Sequence, residues 1–92
     1  MPSAEFEQAA EASKHLKKKP TDTELLELYS LFKVANGEDF SKVEQPGIFD
    51  LKGKAKYNAW KKEVESGVTA EQAEKRYIEA VEALKAKYGV EE

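Results

Sequence analysis

Residues 70–89, AEQAEKRYIEAVEALKAKYG, establish the structural class because their apolar positions recur at the spacing of an α-helix. One stripe contains Ala73, Tyr77, Ala80, Val81, Leu84 and Tyr88. Side chains three and four residues apart share one helix face. Thr69 and Gln72 form a candidate capping box at the start, and Gly89 is suited to the end. The pattern predicts a long amphipathic helix with one buried face.

Three earlier segments show the same helical period, and no segment shows convincing strand alternation. The first helix is expected to begin at the N-cap Ser3 and to end before Pro20. Its apolar face is expected to contain Phe6, Ala9, Ala10 and Leu16. The second follows a cap at Thr21, Asp22 or Thr23 and ends at Gly37, and the third runs from about Leu51 to Val64 despite Gly53. We therefore predict an all-α protein of four helices.

The connections between these helices differ in length. Residues 17–21 and 65–68 are short links, which favour antiparallel neighbours. Residues 38–50, EDFSKVEQPGIFD, exceed the roughly 2–8 residues usual between bundle helices. A crossover of this length can leave helices two and three parallel, so a four-helix bundle with a long crossover is expected.

Composition limits the possible functions. The 92 residues are 40% hydrophobic and 36% charged, as expected for a single soluble domain spanning residues 1–92. The absence of cysteine excludes a disulfide scaffold, a cysteine-based zinc site and a thiol nucleophile. The N-terminus resembles neither a secretory signal nor a transit peptide, and no apolar run approaches the roughly 18 residues of a membrane span. We expect a cytoplasmic monomer.

Catalytic chemistry has little support in the sequence. His15, the single histidine, lies among lysines and has no evident orienting acid, so we expect it to be solvated. Neither a nucleophile–base pair, nor metal-ligand spacing, nor a glycine-rich phosphate loop is present. The sequence predicts a protein that is not an enzyme and that uses no metal or cofactor.

Lysines are concentrated in two islands, although the net charge is −3. Residues 14–19 contain four lysines and residues 49–62 contain five. A general nucleic-acid binder is usually basic over a whole face, so this distribution better fits a small anionic ligand. Lys52 and Lys56 share one helix face and Lys54 points elsewhere, while Lys61 and Lys62 are expected to be solvated. The alternative is an ordinary solvated lysine surface.

A second feature of the same kind lies on helix two, where Tyr29, Phe32 and Lys33 share one edge. Such a patch can stack a nucleotide base and bind phosphate. From periodicity alone, the alternative that Tyr29 and Phe32 belong to the core is favoured. We expect Trp60 in the core and Tyr57 half-buried.

Four segments follow one another over nearly the whole chain: EFEQAAEASKHLKKKPTDTE, LLELYSLFK, QPGIFDLKGKAKYNAWKK and AEQAEKRYIEAVEALKAKYG. Together they closely resemble the acyl-CoA-binding protein family. The resemblance implies an up-down-down-up four-helix bundle. It also implies non-enzymatic binding of long-chain fatty acyl-CoA. Transient contact with membranes or acyl-CoA-using enzymes is a further expectation.

The resemblance also implies which residues contact the ligand. Tyr29, Lys33 and Lys56 match the residues that hold the 3′-phosphate of CoA. Lys14 matches a residue near the head group, and Phe32 falls beside the adenine. The positions that line the ligand groove are Phe6, Ala10, Leu26, Ala55 and Tyr77. Lys52 and Lys54 match family lysines that could also contact the ligand.

Three departures from the family pattern are visible. Phe32 is commonly tyrosine, Tyr57 stands where tryptophan is usual, and the loop VANGEDFSKVEQ (residues 34–45) is atypical and about one residue longer. The resemblance therefore does not predict which residues of that loop contact the ligand. The rival interpretation is a helical interaction module whose basic islands meet an acidic protein, a membrane surface or nucleic acid.

Overall fold

The computed structural model describes residues 3–91. Its four α-helices are α1 (Ala4–Ser13), α2 (Asp22–Ala35), α3 (Leu51–Glu65) and α4 (Ala70–Tyr88), with one 3₁₀ turn at Phe40–Lys42. The all-α prediction is confirmed. None of the helices in this part of the chain is both long and apolar enough to cross a membrane.

Side chains next to the helix starts explain where three helices begin. Thr69 and Gln72 form the predicted capping box of α4: the Gln72 N–H donates to the Thr69 hydroxyl at 3.1 Å, and the Thr69 N–H donates to the Gln72 side-chain oxygen at 3.0 Å. Thr21 and Glu24 form a second box at α2. Ser3 accepts a hydrogen bond from a backbone N–H of α1, as predicted. These contacts pair backbone donors that a helix start leaves free.

The start of α3 explains why the helix contains a glycine. The carboxylate of the N-cap Asp50 accepts a hydrogen bond of 2.9 Å from the Gly53 N–H. A β-carbon at position 53 would collide with this carboxylate. Glycine has a lower helix propensity than most other residues, but at position 53 it leaves room for the Asp50 side chain that caps the helix.

Helix α1 ends before Pro20, as predicted, but the placement of Leu16 on its apolar face was wrong. The helix stops at Ser13, and Leu16 lies outside it in an isolated β-bridge with Val90. The Lys17 N–H donates to the Gly89 carbonyl at 3.0 Å, and further bonds tie this segment to the chain after α4. The backbone after Ser13 therefore satisfies its hydrogen bonds with the C-terminal segment instead of continuing the helix.

Contacts at both ends of α1 show its direction relative to α4. Near the start of both helices, the Ser3 N–H donates to the Glu74 carboxylate at 2.6 Å. Beyond their ends, Leu16 pairs with Val90. Helices α1 and α4 are therefore parallel.

Helix α2 runs antiparallel to α4. The Tyr88 hydroxyl, at the end of α4, donates to the Glu24 carboxylate in the first turn of α2 at 2.6 Å. The Phe32 ring, near the other end of α2, lies 5.9 Å from the Tyr77 ring. The N-terminus of α2 therefore lies beside the C-terminus of α4.

Helix α3 runs parallel to α2. Leu25 and Leu51, each in the early part of its helix, line one cavity, and further along the Tyr29 and Trp60 rings are 6.5 Å apart. The long crossover makes this arrangement possible, and the up-down-down-up order is confirmed.

The helices that pack closely through their backbones are not always neighbours along the chain. Helix α2 packs against α3 and α4, and α1 packs against α4. Within the described residues, the chain neighbours α1–α2 and α3–α4 are antiparallel, as the short links predict, yet they meet through side chains such as Arg76 and Glu63, 3.0 Å apart. The core between α1, α2 and α4 is centred on Phe6, Leu31 and Val81.

Candidate functional site

An apolar groove of about 310 Å³ lies between the parallel helices α2 and α3. Its lining consists of Asp22, Leu25, Leu26, Tyr29, Leu51, Lys52, Ala55 and Lys56. On each helix these positions follow the spacing of one helix face. Ala55 contributes the smallest side chain of the set, and the charged groups are Asp22 and the two lysines. The groove can therefore accept an apolar chain beside an anionic group.

Two cations converge on one aromatic ring at this site. The Lys56 Nζ lies 5.3 Å from the centroid of the Tyr29 ring, and the Lys33 Nζ lies 5.6 Å from it. The family resemblance implied these three residues as the phosphate-binding set, and the fold brings them together from two helices. Two ammonium groups beside a phenol form a receptor for an anion.

The two lysines differ in their partners. The Lys33 Nζ forms an ion pair of 3.0 Å with the Glu38 carboxylate, just beyond the end of α2. Within residues 3–91, no carboxylate lies within 4.0 Å of the Lys56 Nζ. Lys56 is therefore the better available cation, whereas Lys33 is already neutralised by its own chain.

Trp60 lies buried beneath the site, next to Lys33. It is 3% exposed, which confirms the prediction that it belongs to the core, and the Lys33 Nζ lies 5.6 Å from its ring. Phe40, from the loop between α2 and α3, packs on both the Trp60 ring at 5.1 Å and the Tyr57 ring at 4.9 Å. Tyr57 is half-buried, as predicted. The atypical loop therefore supports Trp60, which together with Tyr29 forms what we call the aromatic wall next to Lys33.

A second group of the predicted ligand residues lies between α1, α2 and α4. The Phe6 ring is 5.5 Å from Phe32 and 4.8 Å from Tyr77. Phe6 and Tyr77 are buried in the core, and burial raises the pKa of the Tyr77 phenol. Phe32 is 36% exposed, so the alternative that it is a core residue is wrong. Its outer surface is available for stacking.

The two groups do not form one continuous cavity. Leu26 and Ala55 line the α2–α3 groove, whereas Phe6 and Tyr77 belong to the core of α1, α2 and α4, against which Ala10 also packs. Helix α2 joins the groups because Phe32 lies one turn beyond Tyr29. Ligand contact by Phe6, Ala10 and Tyr77 stays a prediction.

The remaining lysines named from the sequence lie at different distances from the groove. Lys52 lines it one turn before Lys56. Lys54 is half-buried on another side of α3. Lys14 is exposed at the end of α1, with its Nζ 3.8 Å from the Glu11 carboxylate. Roles for Lys14 and Lys54 at the head group stay predictions.

His15 has an acidic neighbour that the sequence reasoning overlooked. Its side chain is exposed, as expected, but its Nε2 lies 3.1 Å from the Glu11 carboxylate. The contact with His15 is the largest cause of the lowered pKa of Glu11. The pair lies on the surface at the end of α1.

Three groove residues were missed in the sequence: Asp22, Leu25 and Leu51. Leu25 lies four positions before Tyr29, and that spacing could have identified it. Leu51 precedes the lysine row and is 75% exposed. Its role at the mouth of the groove depends on the parallel packing of α2 and α3.

Comparison with known proteins identifies the family. The sequence profile of the family described as "Acyl CoA binding protein" matches residues 3–81. The chain belongs to the acyl-CoA-binding protein family. The acyl-CoA-binding protein homolog of Manduca sexta is 47% identical over 87 residues, which are 95% of this chain and 94% of that protein. The homolog of Drosophila melanogaster is 49% identical over 88 residues, covering 96% and 99% of the two chains.

A solved structure agrees with the fold described here. The crystal structure of Oryza sativa acyl-CoA-binding protein 2 is similar, with a TM-score of 0.80 and 36% identity over 90% of this chain and 87% of that one. As a member of the acyl-CoA-binding protein family, this chain has acyl-CoA as the ligand class that the family implies. The α2–α3 groove, with its two cations, is the candidate site for that ligand.

Proposed function

We propose that this protein binds medium- to long-chain fatty acyl-CoA thioesters without chemical change and carries them in the cytoplasm. The observation that supports this best is the mainly apolar groove between α2 and α3, which lies beside the Tyr29 ring and its two neighbouring ammonium groups. An acyl-CoA has the matching arrangement, an apolar chain joined to a phosphate-rich head.

The phosphate end of the ligand is assigned to Tyr29, Lys33 and Lys56. Each lysine can donate a charge-assisted hydrogen bond to the 3′-phosphate, worth about 1.5–3 kcal/mol. The Tyr29 hydroxyl is a further donor. Phe32, one turn along α2, offers an exposed ring on which the adenine can stack.

The acyl chain is assigned to the groove lined by Leu25, Leu26 and Ala55. Removing about 15 methylenes from water is worth up to about 12 kcal/mol before the costs of binding. The groove volume of about 310 Å³ is at the lower end of ligand pockets, which span about 300–1,000 Å³. We infer that the head group folds back and covers part of the chain.

A monomer that needs neither metal nor cofactor is sufficient for this function. The groove and the cations come from a single chain, so no partner subunit is required to complete the site. We expect the groove to bind the acyl-CoA without cleaving its thioester bond.

A second surface supports transient contact with membranes. Ile48, Phe49 and Leu51, which we call the apolar tip, are 72%, 91% and 75% exposed. Lys52 follows directly, and Leu51 and Lys52 also line the groove. Exposed apolar side chains beside lysines are suited to a membrane with anionic lipid. We propose that the tip touches the membrane when an acyl chain enters or leaves the groove.

Native mass spectrometry tests the carrier function. After incubation with palmitoyl-CoA, the proposal predicts one intact ligand per monomer that persists over hours. Hydrolysed ligand would support an enzyme instead. Absence of ligand, together with salt-sensitive binding to polyanions, would support the interaction module with basic islands.

A further inference from the structure

The Lys33–Glu38 ion pair places a carboxylate where the proposed function places a phosphate. We propose that the Glu38 carboxylate competes with the ligand's phosphate for Lys33. This competition lowers the affinity of the site for the ligand. This inference rests on the proposed acyl-CoA site and adds a residue that sets its affinity.

The pair is held by the backbone as well as by charge. Gly37 adopts a left-handed conformation with φ 71° at the end of α2. This lets the Glu38 N–H donate to the Lys33 carbonyl at 3.2 Å, while the Gly37 N–H donates to the Val34 carbonyl at 2.9 Å. These two bonds form a Schellman motif, which fixes where the chain leaves the helix. Glu38 is therefore positioned beside Lys33 by local structure.

The orientation of Lys33 connects this pair to the site. While the Nζ is 3.0 Å from the Glu38 carboxylate, it also lies 5.6 Å from both the Tyr29 and the Trp60 ring centroids. The ammonium therefore already points to the aromatic wall that it would use with a ligand. A phosphate that approaches it meets the negative charge of Glu38 at the same cation.

Displacement of Glu38 is inexpensive enough to permit binding. The Glu38 side chain is 41% exposed, so its carboxylate can turn into water once it leaves Lys33. The Lys33 side chain is 26% exposed, so the pair is partly accessible, and water and salt weaken such pairs by screening the charges. The competition therefore tunes affinity without abolishing it. Lys56, free of any such pair within the described residues, can make the first contact.

Removal of the carboxylate should strengthen binding in a phosphate-dependent way. Losing one ion pair and one repulsion corresponds to about a fivefold lower Kd for palmitoyl-CoA in Glu38→Gln. The 3′-dephospho form of palmitoyl-CoA lacks the phosphate assigned to Lys33, so its Kd should change by less than about twofold. The gain should also shrink as salt is added.

Calorimetry on four proteins tests the competition: wild type, Glu38→Gln, Lys33→Ala and the double variant. Glu82→Gln is the matched control, since Glu82 forms a similar exposed pair with Lys85 at 3.3 Å on α4, outside the proposed site. We expect tighter binding in Glu38→Gln, a clearly smaller gain when Lys33 is absent because only the repulsion is then removed, and no change in Glu82→Gln.

Each outcome separates this inference from the function on which it rests. If the wild type binds palmitoyl-CoA and Glu38→Gln binds with the same Kd, competition by Glu38 is overturned and the carrier function stands. An equal gain with the dephospho ligand, or in the Lys33→Ala background, also overturns it. If the wild type does not bind palmitoyl-CoA, the carrier function itself fails. Thermal unfolding of all variants checks that the fold is unchanged.

Discussion

Replacement of Lys56 by alanine removes a cation of the candidate site that forms no ion pair within residues 3–91. Lys56 is exposed and its Nζ lies 5.3 Å from the Tyr29 ring. A charge-assisted hydrogen bond to phosphate is worth about 1.5–3 kcal/mol, so the Kd for palmitoyl-CoA should rise about 10- to 150-fold. Exposed substitutions change stability by less than about 0.5 kcal/mol, so the variant should fold normally.

Isothermal titration calorimetry with palmitoyl-CoA measures this effect directly. Lys61→Ala is the matched control, because Lys61 is exposed on the same helix and lies outside the groove lining. It should bind within about twofold of the wild type, as expected for a solvated charge. An unchanged Kd in Lys56→Ala would refute the assignment of the phosphate. A large loss in Lys61→Ala would show that the site lies elsewhere on α3.

Three further substitutions test other parts of the account. Ala55→Leu fills the groove and should weaken palmitoyl-CoA binding about tenfold or more, whereas the Kd for free CoA should stay within about twofold of the wild-type value. Calorimetry measures both affinities, and equal losses for the two ligands would contradict a groove that binds the acyl chain. Gly53→Ala should not give the gain of about 0.8–1 kcal/mol expected for this exchange in a helix, because its methyl group displaces the Asp50 cap; urea denaturation giving the full gain would contradict this reasoning. The hydrogen bond from Tyr88 is the largest cause that lowers the pKa of Glu24 to about 2, so this contribution is present above pH 4.5 and is lost as the pH falls toward 2. Tyr88→Phe should therefore be less stable than the wild type at pH 7, with a gap that narrows between pH 4.5 and 2 in denaturation experiments; a constant gap would contradict the linkage.

Local signals in the sequence predicted most of the fold. The capping box at Thr69 and the glycine after α2 act within one or two helix turns, so their effects can be read directly from neighbouring residues. The end of α1 could not be read in this way. Leu16 fits the helical period, but its backbone pairs with Val90, which is distant in the chain and cannot be identified by periodicity.

The site was only partly accessible from the sequence. Periodicity alone favoured a core position for Tyr29 and Phe32, and the resemblance to the family, not the charge pattern, linked Tyr29 with Lys33 and Lys56. The structure brings these three together because the long crossover makes α2 and α3 parallel. The role of Glu38 could not be predicted from the sequence, since its contact with Lys33 depends on the turn that ends α2.

Calorimetry that compares palmitoyl-CoA with free CoA tests the central claim most directly. If the groove holds the acyl chain and the cations hold the head group, both ligands bind and palmitoyl-CoA binds far more tightly, by a factor of about a thousand or more, because only a few of its methylenes need be buried to gain about 4 kcal/mol. Similar affinities for the two ligands, or no binding of either, would contradict the claim.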